Sequence, residues 1–156
     1  DFADVWAYDL EDGCNKVFRI SRVEEVEVLD EDWTSEAAHE RRKVDIFRMS
    51  GFDGKRVRLL LSVLAKNLLV EEYPLAERCL SPFRGSLSSV AVKLPSGWRD
   101  GREVWMLDTE VYDYAGVCRF CAGLGGEVLV VDSPELSAYI GKFVRRELGN
   151  YFNSQE

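Results

Sequence analysis

Six side chains near the start of this 156-residue sequence combine two chemistries that together hold a phosphate-bearing chain. Trp6, Tyr8 and Phe18 offer aromatic faces, and Lys16, Arg19 and Arg22 offer cations. Bases stack on aromatic side chains while Lys and Arg meet phosphates, so this set has the composition of a single-strand or nucleotide site. On a regular strand Lys16, Phe18, Ile20 and Arg22 point the same way, because side chains repeat every two residues. The two cations then stand roughly 20 Å apart at ~3.3 Å per residue, at the ends of an apolar stripe. Lys and Arg are almost never fully buried unless paired, so such a face ends at a rim that meets something anionic. The competing reading makes Trp6 and Phe18 ordinary core and the cations a solvated edge.

The remaining reactive residues form no catalytic set. His39, the single histidine, has no carboxylate or cysteine at ligand spacing and reads as a surface residue. Asp108 and Glu110 share one face of an expected strand and could hold a divalent cation, although alternating outward acids ordinarily face solvent. Cys118 and Cys121 form one C-x-x-C, but Tyr114, Val117, Cys118 and Cys121 share an apolar face a full turn into a helix. Redox pairs sit at a helix N-terminus, where the dipole lowers the thiol pKa, so core packing is the expectation here. With Cys14 and Cys79 scattered there is no second pair to complete a zinc framework, and reduced thiols are the simpler account. Arg119 points away from that face beside Phe120, as an inter-subunit contact, a ligand contact or a solvated surface. No phosphate-loop, nucleophile-elbow or zincin motif occurs, and neither cofactor nor metal is expected.

Those residues must be positioned by the elements around them. Trp6–Arg22 reads as a β-hairpin: a β-prone aromatic run, then Glu11-Asp12-Gly13, then Val17, Phe18 and Ile20. Asp-Gly between two such runs is a strong hairpin signal, since Gly accepts the positive φ of a tight turn. A three-residue turn (11–13) sets Trp6 beside Phe18 and Tyr8 beside Lys16. A two-residue turn (12–13) sets Asp9 opposite Lys16 and neutralises it. Residues 23–29 read as a further strand with Val26 and Val28 on one face, and 34–43 as a linker. A short strand is expected over 44–49 and a turn at Asp53-Gly54. A strand follows over 56–62, with Val57, Leu59 and Leu61 inward and Arg56 and Arg58 outward. A helix with Leu64, Ala65, Leu68 and Leu69 on one face stops before Pro74. Residues 75–87 read as loop and 89–94 as a strand. Alternation over 103–113 predicts a strand with Trp105, Leu107, Thr109 and Val111 inward. A helix over 114–124 ends at Gly125-Gly126. A strand over 127–131 is apolar on both faces. Ser133-Pro134-Glu135 opens a last helix whose face includes Leu136, Tyr139, Ile140, Phe143, Val144, Leu148 and Phe152. From residue 55 the order is β-α-β-β-α-β-α, a split βαβ arrangement of ferredoxin-like type with an extra C-terminal helix.

Composition sets the outer bounds. The formal net charge is −8, with acids concentrated over 24–36 and bases at 16–22, 41–43 and 142–146. An acidic surface repels nucleic acid on average, so such binding must rest on a local basic patch. No apolar run approaches 18 residues, and the start has neither a basic nor a greasy leader region, so a cytoplasmic protein is expected. The chain opens almost inside a strand, and an upstream part is expected to precede it.

The hairpin also resembles a known family. The pattern Lys16-Val17-Phe18-Arg19-Ile20-Ser21-Arg22-Val23, behind an aromatic strand and a short turn, is similar to the second half of a WYL domain. The segments RVRLLLSVLAKNLLVEEYP and GVCRFCAGLGGEVLVVDSPEL resemble the C-terminal extension (WCX) that accompanies such domains. Trp6-Ala7-Tyr8 departs from the name-giving run, and Lys16 stands where the family more often has Arg. The resemblance implies an α+β chain. Its first part, 1–33, would be the C-terminal half of an Sm-like or SH3-like β-barrel, kept as a β-hairpin plus strand. After a 34–43 linker comes a ferredoxin-like extension domain over 44–156. It further implies a bacterial transcription regulator whose DNA contact is made by an upstream helix-turn-helix, and which senses a nucleic-acid strand or nucleotide through Trp6, Tyr8, Lys16, Phe18, Arg19 and Arg22. The extension would dimerise or relay the signal, with Arg119 and Phe120 as the candidate interface; no membrane partner is implied. The alternative is a stand-alone ferredoxin-like module that binds a small metabolite or a protein.

Overall fold

The computed structural model describes residues 4–39, 43–147 and 149, and the chain divides into two compact units, Asp1–Arg42 and Lys43–Glu156. Several small antiparallel sheets combine with helices in a mixed α+β chain. Among the described residues no helix is long and apolar enough to cross a membrane.

In the first unit β1 (Asp4–Asp9) pairs antiparallel with β2 (Cys14–Arg19). The register sets Trp6 opposite Val17, Ala7 opposite Lys16 and Asp9 opposite Cys14, leaving a four-residue loop, 10–13. Neither shorter turn forms, and Asp9 supplies the reason. Its Oδ1 accepts from the N–H groups of Glu11 at 2.9 Å and Asp12 at 3.1 Å, so the chain leaves the ladder right after Asp9. Gly13, at φ +61°, closes the loop. The strand ends at Arg19, and Ile20–Arg22 form a single 3-10 turn. The strand expected over 23–29 is absent: no backbone hydrogen bond involves residues 24–32 among those described, and Val26 and Val28 are 80% and 93% exposed. Alternation favours a strand only where a neighbour takes up the backbone groups and one face is buried. A further 3-10 turn, Glu36–Ala38, folds back on the hairpin, where Asn15 Nδ2 donates to the Ala38 carbonyl at 3.0 Å.

The second unit opens with two-residue strands β3 (Lys43–Val44) and β4 (Ser50–Gly51), which flank a turn in place of the single strand expected over 44–49. Asp45 holds that turn. Its Oδ1 accepts from the N–H groups of Phe47 (2.9 Å) and Met49 (3.0 Å), and its Oδ2 from Tyr112 N–H (2.8 Å). The main sheet has the order β6-β7-β5-β8 with every pairing antiparallel, built from β5 (Lys55–Ser62), β6 (Leu80–Pro82), β7 (Val104–Val111) and β8 (Val128–Val131). Helices α1 (Val63–Glu72), α2 (Tyr114–Leu124) and α3 (Pro134–Glu147) complete the unit. Ser62 caps α1 through Ala65 N–H and Asp113 caps α2 through Ala115 N–H. Val57, Leu59 and Leu61 pack with Leu107, Val111, Ala65, Leu69, Val117 and Leu136 into the larger core. On α1 only Ala65 and Leu69 of the expected face are buried; Leu64 is 55% exposed.

The opposite face of the sheet has its own apolar cluster of Leu60, Leu129 and Val131, covered by Leu87 and Trp98 from the long 83–103 connection. That connection corrects two expectations. Residues 89–94 form no strand; Val90 and Leu94 pack down on the sheet instead of joining it. The edge position belongs to Leu80–Pro82, expected as loop, where Pro82 is tolerated because an edge strand has donors to spare. The connection is tied by Asp100, which accepts from Leu87 N–H at 2.6 Å and from the Ser86 hydroxyl, and by Trp98 Nε1–H donating to the Gly126 carbonyl at 2.8 Å. Leu148 and Phe152 of the last expected helical face, and residues 40–42 of the expected linker, lie outside the described residues.

Candidate functional site

The register decides which of the six hairpin residues share a surface. Opposed residues of an antiparallel pair lie on one face, so Trp6 and Tyr8 stand with Asn15, Val17 and Arg19. Lys16 and Phe18 stand on the other face with Val5, Ala7 and Asp9. The aromatic platform is therefore divided, and the stripe expected from Lys16 to Arg22 stops at Phe18, with Ile20 and Arg22 in the turn after the strand. Phe18 is 39% exposed, and Trp6 and Tyr8 are half-buried.

The three cations differ in what holds them. The Lys16 ammonium donates to Asp9 Oδ2 at 2.7 Å and also to the Asp12 carboxylate. Those two carboxylates, Asp12 before Asp9, raise the Lys16 pKa, and the Lys16 bond holds the Asp9 carboxyl below its usual range. Lys16 is thus neutralised, the outcome a two-residue turn would have given, through a different register. Arg19 lies 3.7 Å from Asp4, with both side chains at least half exposed, a pairing that solvent largely screens. Arg22 is exposed and has no ionic partner among the described residues. Residues 1–42 hold 13 acids and 5 bases, so the whole net charge of −8 falls on the first unit, while 43–156 carry 15 of each. His39 lies in the first unit, its Nε2 3.4 Å from the Trp6 carbonyl oxygen and its ring edge-on to Trp33.

In the second unit Asp108 binds two guanidinium groups. Arg56 forks onto it through Nε at 2.7 Å and Nη2 at 2.8 Å, and Arg58 Nε donates at 3.0 Å. Arg58 also reaches Asp132 at 3.3 Å. The Arg56 bond first, then Arg58, holds the Asp108 carboxyl below the usual range. This network was not read from the sequence. Its signal was the alternation of outward Arg56 and Arg58 on one strand and outward Asp108 and Glu110 on another, but only the register Arg58 opposite Asp108 joins them. Cys118 and Cys121 are both buried free thiols; burial raises both, Cys121 to about 12. Arg119 is exposed, whereas Phe120, named for the same contact, is 6% exposed and belongs to the core. Both line a groove of about 520 Å³ with Leu68 and Leu124.

No family model matches the chain, and neither a curated protein nor a solved structure matches it.

Proposed function

We propose that the chain is a non-catalytic regulatory module of a bacterial transcription regulator, in which the outer hairpin surface takes a phosphate-bearing ligand, a nucleotide or a single strand. The observation that carries this reading is Arg22, the one cation of the described first unit with no ionic partner, within four residues of the exposed Phe18. A guanidinium can fork onto two phosphate oxygens beside a ring that stacks on a base. The resemblance of 16–23 to the WYL pattern supports the same ligand class. Strand order β6-β7-β5-β8 with a β-α-β-β-α-β sequence supports the reading of 44–156 as ferredoxin-like, and a two-stranded hairpin is compatible with a remnant of an Sm-like barrel. Homo-oligomerisation through the extension, DNA contact through an upstream segment and a cytoplasmic site of action belong to the same proposal.

A second reading keeps the hairpin as scaffold and gives ligand binding to the second unit. The double carboxylate grip on Lys16 and the −8 charge of the first unit favour it. Fluorescence anisotropy with a labelled short single strand at low salt separates the two. Arg22→Ala should weaken binding about tenfold, while Lys16→Ala changes it little, because that ammonium is already engaged. Equal binding by parent and Arg22→Ala supports the scaffold reading.

A further inference from the structure

β6 is too short to cover its neighbour. It pairs with β7 only from Trp105 to Leu107, so β7 runs on through Asp108–Val111 with no strand on that side among the described residues. The direction of the exposed backbone groups follows from two hydrogen bonds. Phe83 N–H donates to the Val104 carbonyl, and Tyr112 N–H donates to Asp45, so the even-numbered residues of β7 turn their backbone groups away from β5. The Asp108 carbonyl and the Glu110 N–H share that parity. Neither has a backbone partner among the described residues.

Asp108 and Glu110 also line an open cavity of about 520 Å³ in the second unit, together with Val44, Asp45, Ile46, Arg56 and Cys79. One wall is fixed in advance, since both Asp45 oxygens are held by three backbone N–H groups. Three carboxylates and one guanidinium, Arg56, line the cavity, a net charge of −2. Glu110 makes no side-chain hydrogen bond or close ion pair among the described residues, although Arg56 stands opposite it in the β5–β7 register and feels its charge.

We propose that this notch receives an extended peptide segment of a protein partner, which adds as a short strand to the free part of β7 and sets a Lys or Arg against Glu110. A free strand edge calls for a partner with its own unpaired N–H and C=O groups, which a small molecule or a nucleic acid does not present in that spacing. The negative lining selects a basic segment and disfavours phosphate. Val44, Ile46 and Cys79 give the flanking side chain an apolar wall. This goes beyond the hairpin reading and does not depend on it.

The test uses the full chain, 15N-labelled, titrated with an acetylated and amidated hexapeptide of alternating valine and lysine. A second peptide of the same sequence carries N-methyl groups on alternate backbone nitrogens, which removes donors and keeps the charge. The unmodified peptide should move the amide signals of Asp108–Glu110 and Val44–Ile46. Glu110→Lys should weaken that binding about tenfold, and the N-methylated peptide should leave those signals in place. Equal shifts with the N-methylated peptide would reduce the effect to non-specific charge attraction and overturn the proposal. So would shifts confined to the acidic 24–36 segment. Movement of the same amides with protein concentration alone would give the notch to a second copy.

Discussion

Removing the Asp45 carboxylate should cost more stability than any other single polar change in the second unit. Asp45 is 8% exposed and serves three N–H donors at 2.8–3.0 Å. Phe47 N–H is buried, so losing its acceptor costs about 2 kcal/mol, within the ~1–3 kcal/mol of an unsatisfied donor. The bonds from Met49 and Tyr112 are only partly buried; water can replace the acceptor, leaving about 0.5–1 kcal/mol each. Asp45→Ala should therefore lose about 3–4 kcal/mol, a fall of roughly 12–16 °C in Tm at about 4 °C per kcal/mol for a unit of this size. Asp45→Asn keeps one carbonyl oxygen for Phe47 and Met49 but turns an amide donor toward Tyr112 N–H, and should lose about 1–2 kcal/mol. Urea titrations and thermal melts by far-UV circular dichroism measure both. An Asp45→Ala chain that melts within about 2 °C of the parent would refute the reasoning, because water alone would then satisfy all three donors.

Three further outcomes follow from the packing and the charges. Gly116→Ala should destabilise by about 1–3 kcal/mol in the same titration, since the new Cβ would stand 2.7 Å from Phe47 Cβ and 2.8 Å from Met49 Cγ. Iodoacetamide at pH 8 should alkylate the exposed Cys14 first and the buried Cys118 and Cys121 last, with mass spectrometry giving the order; Cys121, raised to about 12, has almost no thiolate there. Asp108 binds a proton less readily folded than unfolded, so its contribution is present above the ordinary carboxylate range and lost as pH falls through its lowered value. Asp108→Asn should cost about 1 kcal/mol at pH 7, a figure reduced for its partial exposure, and flatten the acid limb of melts taken from pH 6 to pH 2.

Periodicity made much of the second unit legible because the local signals there agree with what is buried. Val57, Leu59 and Leu61 alternate on a strand whose one face is core, and residues 128–131 are apolar throughout because both faces are covered. Gly125 and Pro134 mark helix boundaries by backbone geometry alone, with Gly125 at φ +45°. The same rule misread 89–94. Val90 and Leu94 are apolar because they cover a sheet, and alternation cannot distinguish covering a sheet from joining it. Leu80–Pro82 gave no signal, being three residues long with a proline. At the hairpin the residue types were visible but their faces were not, since Asp9 moved the register by capping the loop with its side chain. The engagement of Lys16 by Asp12 is likewise a product of the loop conformation. The notch along β7 had no sequence signature, for it exists only where a neighbouring strand stops.

The salt dependence of single-strand binding tests the central claim most directly. Each phosphate contact on a single strand contributes about 0.7 to the slope of log K against log salt. If Arg22 holds one phosphate, the slope for Arg22→Ala should be shallower than the parent's by about 0.7, with the two chains melting together because an unpaired exposed guanidinium contributes little to folding. Parallel slopes for the two chains, or a parent that shows no binding even at the lowest salt, would contradict the claim.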